Sequence, residues 1–178
     1  MSAPGRSALA ATAGDGLLHP IPLLAIGVLL LNDHVLKATY PGLVTGKLSD
    51  LAGLVYFPLL LQGIWEVMGS HTGRDGPPSH RTLLVAILAT AVAFTIINLS
   101  PAGSGAYGAV MGTLQWAIGV LPRAILDGQV PTPKVVANVV DAGDMVALPA
   151  LAIAYAVGRR RVLRPLAGEE RGVVFARS

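Results

Sequence analysis

The chain has no cysteine among its 178 residues. Disulfides, thiolate nucleophiles and Cys-ligated metals are thereby excluded. Charge is scarce as well. Asp, Glu, Lys and Arg make up 13% of the chain, against about 25% in an ordinary soluble domain. Aromatic residues account for 5%, and no run interleaves them with basic residues, which sets nucleic acid aside as a partner. The histidines (His19, His34, His71 and His80) are scattered without ligand spacing, so no metal and no cofactor is expected. What is abundant is apolar: 53% hydrophobic residues and a mean hydropathy of +0.63. So few charges cannot cover a water-facing surface, and lipid is the natural solvent.

Length arithmetic divides the apolar stretches, since about 20 residues cross the hydrocarbon core. Residues 1–16 are small and polar and read as a disordered N-terminus. The first span is expected over 17–36, although His19, Pro20 and Pro22 weaken its start. A cleaved signal peptide is the rival reading. Only Arg6 supplies a basic start and no A-x-A-like site follows Leu31, so a retained helix is preferred. The second span counts back from the polar loop 69–81 to 49–68, and the third is the uncharged run 82–100. The fourth must end before Arg159. Its purely apolar part, 145–157, is too short, and extension to 139–158 brings in Asp141 and Asp144.

The segment 105–127 contains Tyr107, Trp116, Pro122 and Arg123 and could make a fifth span. Counting positive charges argues against that, because four spans put the Arg74/Arg81 loop and the Arg-rich tail 159–178 on one side. The segment is therefore expected to be an interfacial or re-entrant helix on the outer side, anchored by Trp116. The expected fold is an all-α integral membrane protein: one transmembrane domain over 17–158, four helices in two helix-loop-helix halves, and a basic cytoplasmic tail.

Polar chemistry gathers at the outer ends of these spans. LNDHVLKATYPGLVTGKLSD holds Asn32, Asp33, Lys37, Lys47, Ser49 and Asp50, and a later stretch adds Asp141 and Asp144. Ionisable groups at membrane depth are costly and usually pair or face a protein interior. Asp33 and Lys37 are spaced i,i+4 for an ion pair on a helix. Asp50, three residues after Lys47, is placed to cap the second helix. Asp141 and Asp144 would share a helix face. Together these residues are the candidate binding site. Three carboxylates could in principle hold a divalent cation, but nothing in their spacing selects one.

Aligning Asp50 with Asp141 sets DLAGLVYFPLL against DAGDMVALPAL, with Asp, Val and Pro at matching offsets, and Asn32 falls opposite Asn98. The pattern suggests a weak duplication into parallel repeats. The stretch GSGAYGAVMG at 103–112 is somewhat like the Gly-x-Ser-Gly of rhomboid proteases. No histidine follows His80 to activate Ser104, so it reads as helix packing through Gly108 and Gly112.

The combination LND…K…PGLVTGKLSDLAGL…FP, followed by VVDAGDMVALPAL and a basic end, resembles a family of small bacterial multi-pass membrane proteins. The resemblance covers residues 30–61 and 139–160. It implies a four-helix protein of the bacterial cytoplasmic membrane and carries over no catalytic residue; the count of positive charges is what places both termini in the cytoplasm. The first functional expectation is binding or transport of a small ion or polar solute at the outer face. The second is an accessory subunit contacting a membrane-protein partner. The third, an enzyme acting on lipid head groups, has no motif behind it.

Overall fold

The computed structural model describes residues 13–40, 42–72, 79–126 and 132–175, and among these every regular element is helical. The expected disorder at 1–12, the loop carrying Arg74 and the chain end from 176 lie outside the described residues.

A short 3₁₀ turn, Asp15–Leu18, precedes α1, so helical structure is present before the expected first span. Helix α1 covers Pro20–Thr39. His19 and Pro20, which weaken the sequence pattern, in fact start it. The His19 Nδ1 accepts the Ile21 N–H at 3.2 Å, and Pro20 occupies a first-turn position where a missing N–H is harmless. Over Asn32–Leu36 the helix widens into a single π-turn before closing again as α-helix.

Helix α2, Leu43–His71, starts earlier than residue 49. Thr45 Oγ1 accepts the Gly42 N–H at 3.2 Å and lies 2.9 Å from the Gly42 carbonyl. This is the returning half of a capping box, and it fixes the helix start at Gly42. Asp50 consequently stands on the third turn and does not cap the helix, contrary to expectation. Pro58 lies inside α2 and is buried, and it removes one backbone hydrogen bond there. The remaining elements are α3, His80–Leu99, α4, Pro101–Leu126, a 3₁₀ helix, Ala142–Ala150, and α5, Leu151–Phe175. Helices α1, α2 and α3 are each long and apolar enough to cross a bilayer.

Two sequence expectations change here. The segment 139–158 is not one α-helix. It has no regular secondary structure up to Asp141, is 3₁₀ from Ala142 and is α-helical from Leu151. The basic tail is not a separate piece, because α5 runs on through Arg159, Arg160 and Arg161 to Phe175. The aligned segments of the suspected duplication also fold differently, α-helix after Asp50 and 3₁₀ helix after Asp141.

The chain divides into two compact units, residues 1–91 with 147–178, and residues 92–146. In the first, Leu59 of α2, Leu83 of α3 and Ala154 and Val157 of α5 form a buried cluster, flanked by Leu17, Ile21, Ile87 and Tyr155. Small residues make this approach possible. Ala147, Ala150, Ala154 and Gly158 recur at helical spacing and are all buried.

In the second unit, Ser100 caps α4 by accepting the Gly103 N–H at 3.3 Å, with Pro101 opening the helix. The irregular segment 132–141 lies along a face of α4 that carries Ser104, Gly108 and Gly112. Val136 N–H donates to the Gly108 carbonyl at 3.0 Å. Ser104 Oγ donates to the Asn138 carbonyl at 3.0 Å and accepts from Asn138 Nδ2 at 2.9 Å. The glycine spacing therefore packs non-helical backbone, a use that the helix-pairing motif does not reveal. A Cβ at Gly112 would collide with the Lys134 carbonyl oxygen, a backbone atom. Gly112→Ala is thus expected to lift the segment off α4 at a cost of about 1–3 kcal/mol. Hydrogen exchange should speed up at the Val136 amide, and unchanged exchange would contradict the packing.

Candidate functional site

The π-turn places Asn32 against α2. Its side chain is fully buried, and both amide hydrogens are used. Nδ2 donates to the Thr45 carbonyl at 2.6 Å and to Ser49 Oγ at 2.6 Å. Ser49 Oγ passes its own hydrogen to Asp33 Oδ1 at 2.8 Å. Lys37 Nζ meets the same oxygen at 2.8 Å, forming the i,i+4 pair that the spacing predicts. The result is a directed chain of donors, Asn32 to Ser49 to Asp33, with Lys37 closing it from outside. Asn32 Oδ1 is buried and makes no hydrogen bond. A π-turn inserts one residue into a helical ladder and recurs at functional sites. Here it turns a polar side chain inward at the end of the apolar run Pro20–Leu31.

Of the candidate residues, Asn32, Asp33, Lys37 and Ser49 are brought together, and Thr45 joins them through its backbone. Lys47 and Asp50 stand half-buried on the second and third turns of α2. Asp141 and Asp144 belong to the other unit. There Asp141 precedes the 3₁₀ helix and accepts the Gly143 N–H at 2.7 Å, while its carbonyl accepts the Asp144 N–H at 3.0 Å. Asp141 is therefore a cap, one position before the 3₁₀ helix that carries Asp144. Among the described residues no group of three His, Asp or Glu side chains converges to hold a metal ion.

A second polar cluster, absent from the sequence reading, lies further along α2 toward its C-terminal end. Arg161 of α5 contacts Asp15 through Nε and Glu66 Oε1 through Nη1, the latter at 2.7 Å. Gln62 Nε2 donates to Glu66 Oε1 at 3.1 Å, and the Gly14 N–H donates to Glu66 Oε2 at 3.1 Å. The Arg161 and Glu66 side chains are only 12% and 10% exposed. Burial works against the Arg161 charge, but the hydrogen bond it donates to Glu66 and the charges of Glu66 and Asp15 outweigh it, so its pKa is raised. Arginine charge is thus retained at every working pH. A local signal for this cluster did exist. Gln62 and Glu66 form an i,i+4 polar pair inside an apolar run, a sign of a buried helix face with a polar end. Nearby, His80 Nε2 lies 3.3 Å from the Tyr155 hydroxyl, with the rings edge to face.

Comparison of the chain with protein-family models, with curated proteins and with solved structures finds no match.

Proposed function

We propose that the chain is a multi-pass membrane protein of four spans with both ends cytoplasmic, and that its Asn32–Asp33–Lys37–Ser49 network binds a small ion or polar solute at the outer face. The carrying observation is a fully buried asparagine, set on a π-turn inside an apolar helix, with one polar atom left unbonded. A buried unsatisfied acceptor costs about 1–3 kcal/mol, which a bound donor would recover.

Several features support the membrane reading. Large apolar side chains are exposed along α1, α2 and α3, among them Leu24, Ile64, Trp65, Val85 and Leu88. For the fourth span, the 3₁₀ geometry supports the reading by easing the length problem. At about 2.0 Å per residue the nine residues Ala142–Ala150 extend ~18 Å. Continuing α-helix to Gly158 adds ~12 Å at 1.5 Å per residue, and the sum matches the ~30 Å hydrocarbon thickness. The same residues as pure α-helix would fall short. Four spans also keep Arg81 and the Arg159–Arg161 cluster on one side.

The test is thermal unfolding of the purified protein in detergent across ions, metals and small polar solutes, with Ser49→Ala alongside. Ser49 links Asn32 to Asp33, so a solute that raises the wild-type midpoint should do so much less for Ser49→Ala. A wild type that no solute shifts would overturn the binding reading and turn attention to a protein partner.

A further inference from the structure

From the direction of the hydrogen bonds we infer that the site takes a small monovalent cation, an alkali ion or a protonated amine, and that Lys37 is its built-in competitor. This rests on the binding reading above and deepens it. Asparagine offers two N–H donors and one carbonyl acceptor. At Asn32 both donors are used, on the Thr45 carbonyl and Ser49 Oγ. The Ser49 hydroxyl hydrogen is directed onto Asp33. No hydrogen on Asn32 or Ser49 remains to meet an anion. What Asn32 still offers is the buried oxygen Oδ1, one helix position from the Asp33 carboxylate. Acceptors of this kind match a cation or an N–H donor.

Charge limits the ligand further. Hard divalent cations gather several carboxylate oxygens, whereas this network holds one carboxylate, already shared with an ammonium group. A single positive charge that displaces Lys37 conserves the balance. Displacement is cheap, because the Lys37 and Asp33 side chains are 43% and 44% exposed, and an exposed i,i+4 pair biases its population only about twofold.

The two members of the ion pair therefore give opposite signs in one experiment. Wild type, Lys37→Gln and Asp33→Asn are compared in lipid nanodiscs at constant ionic strength. Na⁺, K⁺, Li⁺ or methylammonium replaces N-methylglucamine as the chloride salt, and the melting midpoint is followed. A parallel series varies the anion (chloride, acetate, phosphate) with N-methylglucamine fixed. The expected result is a saturable rise with at least one cation. Half-saturation should fall about twofold in Lys37→Gln and rise by at least about tenfold in Asp33→Asn. The alkali ions and methylammonium separate the two sources of positive charge.

Stabilisation by an anion, lost in Lys37→Gln, overturns the cation assignment while leaving a binding site standing. A cation response weakened equally by both substitutions overturns the competition. If no solute of either sign moves the wild type, the binding reading falls and this inference with it. Both side chains are exposed at a helix surface, so neither substitution is needed for folding, and each variant's midpoint without added cation checks this.

Discussion

Arg161→Met is expected to cost about 3–5 kcal/mol of stability, the usual result of stripping one partner from a buried ion pair. The loss falls on Glu66. Its side chain is 10% exposed, and without the guanidinium it keeps, among the described residues, the Gln62 amide and the Gly14 N–H, two neutral donors around a full negative charge. Asp15 adds little to the figure, because it is 37% exposed and solvent screens such contacts. Glu66→Gln in the Arg161→Met background should restore a large part of the lost stability, since removing the second charge removes the burial penalty. Melting of the four proteins of this double-mutant cycle in detergent checks the account. Additive losses would mean that the two side chains do not act as a pair.

The second large effect is expected at Asn32. Asn32→Leu keeps the size and the apolar surroundings but removes both donors, to the Thr45 carbonyl and to Ser49 Oγ. About 2 kcal/mol should be lost, from two buried hydrogen bonds of roughly 1 kcal/mol each. Release of the unbonded Oδ1 offsets part of the loss, which keeps the figure below that for Arg161→Met. The substitution should also remove any solute-dependent rise in the midpoint, because the buried oxygen goes with the amide. Asn32→Leu melting as high as wild type would mean that the network neither braces α1 on α2 nor stores a site.

How much of this was legible in the sequence varies with distance along the chain. The Asp33–Lys37 pair is a matter of local helical spacing and follows from the sequence directly. The Asn32–Ser49 contact lies 17 residues apart, and its members stood out because polar residues at the edge of an apolar run are unusual. Counting back from the far end of α2 places its start too late, although Gly42 followed by Thr45 is a readable start signal. The 3₁₀ stretch was not legible, since the same apolar residues suit either helix. The Arg161 cluster joins residues 95 and 146 positions apart. Within a run of three arginines, nothing local distinguishes Arg161, which turns inward, from Arg159 and Arg160, which are exposed.

That separation has a consequence in time. Glu66 and the guanidinium that neutralises it are 95 residues apart, so at ~5–20 residues per second the ribosome adds Arg161 roughly 5–20 s after Glu66. For that interval α2 exists without its counter-charge, and its carboxylate must stay hydrated or protonated. The N-terminal turn at Asp15 can settle on α2 through the Gly14 N–H and Glu66, but it lacks its Arg161 contact until the last helix arrives. The first helices to emerge therefore cannot complete their own packing, and the fold closes only when the C-terminal helix arrives.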